Sequence, residues 1–256
     1  MQRAAANAYW SRVCPEERRQ MAQANLEKRC EYLHEMELTE DQRQLILGGL
    51  LGDMSILYPN KRSRYPRIVV SQGSAQAEYT EWKYAIMKNL VGTPPKTVVN
   101  QGYRPGNTVH RFQTRSLPCL VPMYDLVKPG GGKKTVVTRR WLDEIDSPMA
   151  LAVWYLDDGS LTKNVNRPAQ RVYGHSVQIS AGYAETGKAN LMAEWLDRVW
   201  GIPTRIHSGV RGAKGKPYST VWISKSSDVD AFLDIVRPYA VPCMHYKVIR
   251  DYTYTT

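Results

Sequence analysis

Two apolar runs in this chain end on aspartate. The first is Ile46 to Met54 (ILGGLLGDM), with Asp53 near its end. The second is Leu151 to Gly159 (LAVWYLDDG), closing on Asp157 and Asp158. Both read as helices made for burial, yet a buried carboxylate costs several kcal/mol unless it is paired, hydrogen-bonded or bound to a metal. Around them the polar and apolar positions repeat. Thr39 and Gln42 have the spacing of a capping box before the first run, and Ser147-Pro148 supplies an N-cap and first-turn proline before the second. Alternating segments predict two strands after each run, roughly 54–58 with 66–72 and 160–163 with 174–181. Amphipathic helices follow from Ala77 (AEYTEWKYAIMKNL) and Glu185 (ETGKANLMAEWLDRVW). Two more strands come next in each half, KTVVNQ with TVHRFQT and PTRIHS with YSTVWIS, and a short helix closes the unit.

This is an internal repeat. Asp53 and Asp158, and Ser55 and Ser160, share an offset of 105 residues. The offset becomes 109 for Ser71 and Ser180, Gly92 and Gly201, and the pairs Lys128-Pro129 and Arg237-Pro238. The slip falls in a hairpin, where YPNKRSRYP is shorter than KNVNRPAQRVYG, and length changes belong in such loops. The expected class is α+β: two pseudo-symmetric αββαββα repeats, each an antiparallel sheet with helices on one face. The boundaries are 1–38 for an N-terminal extension of one or two helices, 39–135 for the first repeat and 136–256 for the second.

Composition narrows the chemistry. At 256 residues, 43% hydrophobic and 23% charged, the chain can bury a sizeable core. No apolar run approaches the ~20 residues of a membrane span, so no membrane partner and an intracellular place are expected, prokaryotic cytoplasm or an organelle. The four cysteines (Cys14, Cys30, Cys119, Cys243) are far apart and read as reduced structural thiols. A net charge of +11 points to a polyanionic partner, with basic residues recurring in short extended segments. The glycine patterns of nucleotide sites, GxGxxG and GxxxxGK[ST], are missing, which weighs against a metabolic enzyme.

The paired motifs, the stretch QAEYTEWKYAIMKNLV, GGKKTVV before the second motif and VRPYAVPCMHYKV near the end together resemble the LAGLIDADG homing endonucleases in their single-chain, two-motif form. The resemblance covers roughly residues 39–250. It implies a saddle of antiparallel sheets lining the major groove of DNA, with the motif helices packed at the centre and each motif aspartate facing a scissile phosphate across the minor groove. The implied activity is metal-dependent, site-specific double-strand DNA cleavage by a monomer. An intron RNA maturase, or a DNA-binding regulator without cleavage, is the alternative on the same fold. Gly48, Gly49 and Gly52 fit this picture, since small residues let two helix backbones approach. Two carboxylates brought together would repel without divalent cations, and Mg2+, two or three ions, suits oxygen donors and phosphate.

By the same resemblance Asp53 and Asp158 are the metal ligands, with the main-chain carbonyls of Gly52 and Asp157 contributing. Asp157 aligns with Gly52, so its side chain is expected to be solvated or to pair in a hairpin. Lys134 (or Lys133) and Lys247 correspond to active-site lysines. Gln72 stands where a polar residue orders water, and its partner in the repeat is Ala181. Met54 in place of a glycine, and the bulk of Val153, Trp154 and Tyr155, predict an asymmetric helix interface. Arg64, Arg67, Arg111, Arg115, Gln178, Arg205, Arg211 and Lys225, expected on strands, are the candidate DNA contacts, each able to meet base, phosphate or solvent. Tyr79, Trp82, Tyr84 and Met87 are expected to pack on a sheet. Residues 1–38 either extend the DNA contact or pack outside the first repeat. The start at Met1 and the ending YTYTT favour an intron-encoded or free-standing protein over an intein.

Overall fold

The computed structural model describes residues 14–99, 106–132, 135–183, 186–211 and 216–254. An N-terminal helix, α1 (Pro15–His34), precedes the repeats. It exposes most of its described side chains, but Leu33 packs on the core and His34 bonds Tyr65 at 3.1 Å, so its end rests on the first repeat.

The first motif forms α2 (Glu40–Leu51) and the second forms α6 (Pro148–Asp158). Thr39 Oγ1 accepts from Gln42 N at 3.3 Å while Gln42 Oε1 accepts from Thr39 N at 3.2 Å, the expected reciprocal cap. Ser147 Oγ accepts from Met149 N at 3.2 Å at the start of α6. From Met149 to Leu156 every residue of α6 is buried, as is every residue of α2 from Gln44 to Leu51, the pattern of helix segments enclosed on every side. They pack on each other at the centre. A side-chain carbon at Gly48 would lie 2.1 Å from Ala150 O, so glycine there is a condition of the approach. Gly49, expected at the same seam, instead makes room for Met54, whose Sδ would lie 2.4 Å from an added carbon.

The first repeat continues with β1 (Ser55–Leu57), β2 (Arg67–Gly73), α3 (Ala77–Met87), β3 (Lys96–Val99), β4 (Thr108–Gln113) and α4 (Val121–Val127). A short helix, α5 (Arg139–Asp143), links the repeats through buried Trp141 and Leu142; its five residues are too few to show a period in the sequence. The second repeat adds β5 (Gly159–Asn166), β6 (Arg171–Tyr183), α7 (Thr186–Trp200), β7 (Arg205–Arg211), β8 (Lys216–Ile223) and α8 (Ser226–Val236). Its first hairpin is longer than expected, because most of KNVNRPAQRVYG joins the ladder through a bulge at Asn164/Val165.

Each sheet is antiparallel, ordered β1-β2-β4-β3 and β5-β6-β8-β7. The registers reproduce the repeat. Ser55 pairs with Val69 as Ser160 pairs with Gln178, and Ser71 pairs with Arg111 as Ser180 pairs with Thr220. The offsets of 105 and 109 are therefore structural equivalences, and the architecture is α+β as expected. Ile68, Val70 and Phe112 turn toward the helices and are buried, which leaves Arg67, Ser71 and Arg111 on the opposite face.

Candidate active site

The two motif ends are not alike. α2 stops at Leu51, with Gly52 as its C-cap, so exposed Asp53 lies in the turn beyond the helix. Asp158 is the last residue of α6 and is half-buried. Burial, first, and then the charges of Asp53 and Asp157 push its carboxyl up to about 7. The two motif acids thus share one electrostatic neighbourhood.

Asp157 corrects the expectation of a solvated or hairpin-paired carboxylate. Its side chain has no exposure and takes Lys83 Nζ at 2.6 Å, itself wholly buried. Gln72 Nε2 donates to the same oxygen at 3.0 Å, and Asp53 N donates to Oδ2 at 3.2 Å. Burial raises the Asp157 carboxyl while Lys83 lowers it. Buried Tyr79 completes the cluster. Lys83 Nζ lies 4.2 Å from its ring centre, and burial together with Asp157 holds its hydroxyl well above the ordinary tyrosine range. Gln72, expected to order water, thus gives one of its two amide N–H groups to Asp157. The part of Asp157 that reaches solvent is main chain, as its residue is half-buried while its side chain is closed off.

Lys247 reaches the same place from the C-terminal 3-10 helix Pro242–Lys247. Its Nζ donates to Leu156 O at 2.5 Å and Asp157 O at 3.2 Å, capping the carbonyl end of α6, where a cation suits the helix dipole. Burial pulls its ammonium down, against the pull of Asp157, Asp53 and Asp158. Tyr155 OH donates to Lys247 O at 2.5 Å and holds this segment on α6. Lys133 and Lys134 lie outside the described residues. The sequence reading missed Lys188 on α7, a half-buried lysine lowered by burial and coupled to Asp158.

It also missed Lys83. The buried face of α3 is Tyr79, Thr80, Lys83 and Met87, with Trp82 and Tyr84 only partly covered. Lys83 stands four residues from both Tyr79 and Met87, so helical spacing alone put a lysine on the core face.

Of the candidate DNA contacts, Arg67 and Arg111 lie on the outer face of the first sheet. With Lys96 and Gln113 they line a concavity of about 300 Å³, and Arg67 Nε is buried there without a hydrogen-bond partner among the described residues. Gln178 and Arg205 share a cross-strand row with Trp222 between them in the second sheet. Arg211 ends β7, and its side chain lies outside the described residues. Three candidates are not on strands. Arg64 is exposed in the loop before β2. Arg115 follows β4 and gives its guanidinium to Asn89 O at 2.9 Å. Lys225 is the N-cap residue of α8, 3.6 Å from Asp228.

Among the described residues no group of three His, Cys, Asp or Glu side chains could hold a metal ion by itself. The donors present are oxygen only: two carboxylates and nearby main-chain carbonyls, with one carboxyl of raised proton affinity. That set fits a hard divalent cation in an open site that a phosphate completes.

Fold and site together define a single-chain, two-repeat α+β protein with paired carboxylates at the ends of its central helices and arginines on its outer sheet faces. The sequence model of the LAGLIDADG DNA endonuclease family matches residues 43–227. The chain belongs to this family. It is 32% identical over 215 residues to Protein RecA of Mycobacterium shimoidei, covering 83% of this chain and 47% of that protein, so it spans about half the length of such relatives. It is 28% identical over 224 residues to DNA endonuclease I-ChuI of Chlamydomonas applanata, covering 83% of this chain and 96% of that one. The homing endonuclease I-WcaI, solved bound to its DNA recognition sequence, shares the fold with a TM-score of 0.69 at 18% identity, over 87% of this chain and 92% of that one.

Proposed function

We propose that this protein is a site-specific DNA endonuclease that hydrolyses both strands of a duplex with divalent cations, Mg2+ in the first instance. The observation that carries the reading is that Asp53 and Asp158 stand at the ends of the two packed central helices, with the Asp53 amide 3.2 Å from Oδ2 of Asp157, the residue before Asp158. Family membership and the DNA-bound structure of I-WcaI support it. Asp53 and Asp158 would hold the cations, with the carbonyls of Gly52 and Asp157 as further donors. The cation, when bound, supplies charge neutralisation and a more acidic attacking water. The remaining work belongs to this chain. Lys247 fixes the end of α6 through two carbonyls and so sets where Asp158 points. Arg67, Lys96, Arg111 and Arg205 offer positive charge to the backbone phosphates, which fixes register on the duplex. Both acids reside in one chain, so a monomer suffices.

The test is cleavage selection on a randomised or candidate insertion-site library with Mg2+, repeated with Asp53→Asn and Asp158→Asn. Mg2+-dependent double-strand cuts that each single variant weakens are expected. Tight DNA binding without cleavage by the unaltered chain would replace the nuclease with a binding protein. Normal cutting of both strands by each variant would discard the site.

A further inference from the structure

The repeat equivalence exposes a set of three residues that changes together between the halves. Gly52 corresponds to Asp157 at an offset of 105; Gln72 and Lys83 correspond to Ala181 and Met192 at 109. Asp157 leaves the second repeat and enters the first, where it meets Gln72 on β2 and Lys83 on α3. Ala181 and Met192, at the matching positions of the second repeat, are buried and apolar, and Gly52 has no side chain to send them. Only one of the two positions can carry a side chain, because a carbon on Gly52 would lie 2.5 Å from Asp157 Cβ. The polar set in one half and the apolar set in the other are thus alternative fillings of one space.

The side chains of the polar set touch Asp53 at one atom. Asp157 Oδ2 accepts from the main-chain N–H of Asp53 at 3.2 Å. Asp53 follows the end of its helix in a turn, where a main chain has the most freedom. We infer that Lys83, by fixing the Asp157 side chain through their 2.6 Å contact, is a positioning residue for Asp53, and that this makes the two cleavage sites unequal. Asp158 is still the last residue of its own helix, and among the described residues no side chain of the first repeat bonds its main chain. The inference rests on the nuclease reading only for its cleavage arm.

The experiment compares the unaltered chain with Q72A/K83M/D157A, which removes the carboxylate and writes the apolar side chains of the second repeat into the first. Lys83→Met alone leaves Asp157 buried without its ion partner, so its unfolding equilibrium should rise about a hundredfold or more. The triple variant should recover most of that loss. In native-state hydrogen exchange without metal, the Asp53 amide of the triple variant should exchange about tenfold faster, with amides inside α2 unchanged. On a cleaved target, nicking of one strand should slow by about tenfold relative to the other. If the triple variant does not fold, D157A/K83M, which keeps Gln72, carries the same expectations. Unchanged exchange at Asp53 would overturn the inference, as would equal slowing of both strands. A chain that cuts no DNA would end the nuclease reading and leave the exchange result to decide.

Discussion

Acid should stabilise this protein when no metal is present. In the folded chain Asp158 keeps its proton up to about pH 7, because burial and the charges of Asp53 and Asp157 oppose ionisation; the ordinary value is 3.8. Between those two values the native state holds a proton that the unfolded chain has released. The unfolding free energy therefore falls as pH rises. This group's contribution is complete below about pH 4 and gone above about pH 7. A gap of that size would correspond to ~4 kcal/mol for a fully shielded group. Asp158 is half-buried, so ~2 kcal/mol is the working figure. About half of it, ~1 kcal/mol, separates pH 5 from pH 7.5, which in a chain of this size is a melting temperature higher by ~2–4 °C at pH 5. Buried His175 acts in the opposite sense, since burial lowers its imidazole and disfavours its charged form as pH falls. The quantity to measure is therefore the difference between wild type and Asp158→Asn, by scanning calorimetry in EDTA. The variant should show a higher melting temperature at pH 7.5 and a flatter pH slope. A variant less stable at pH 7.5, or one with an unchanged slope, would refute the electrostatic account of the site.

Gly48→Ala should cost ~3 kcal/mol or more, since its new carbon meets the main chain of α6, and Gly49→Ala clearly less, since Met54 can move; urea unfolding of both decides. Thr39→Ala removes half of a reciprocal cap and should cost ~1 kcal/mol by the same assay. Lys247→Met should destabilise by ~1–3 kcal/mol because two carbonyls lose their donor; a stability equal to wild type would leave this lysine with a role toward phosphate only. On DNA, Arg111→Ala should reduce the slope of log affinity against log salt by about 0.9, and Arg115→Ala should leave it unchanged because its guanidinium is occupied by Asn89 O.

The repeat, the central helices and the position of the two motif acids at their ends were legible because each rests on a local pattern: a cap, an apolar run, an alternation, and two offsets shared by several landmarks. Other features were hidden for different reasons. Arg115 and Lys225 look like strand arginine and lysine until the strand ends are known, and a boundary error of two residues changes the surface they serve. The short helix α5 lacks the length to display a period. Lys83 and Asp157 were harder, since each looks like a fault in its own element: a lysine on the apolar face of α3, and a second acid at the end of a buried helix. Read singly, each fault invites a solvent-facing explanation. Their partner is 74 residues away, and a buried charge is tolerable only with an opposite charge beside it. Two such faults of opposite sign in one chain are therefore evidence for each other. The repeat strengthens that argument without any homologue, because the second half shows the same space with both faults removed at once, glycine for aspartate and methionine for lysine.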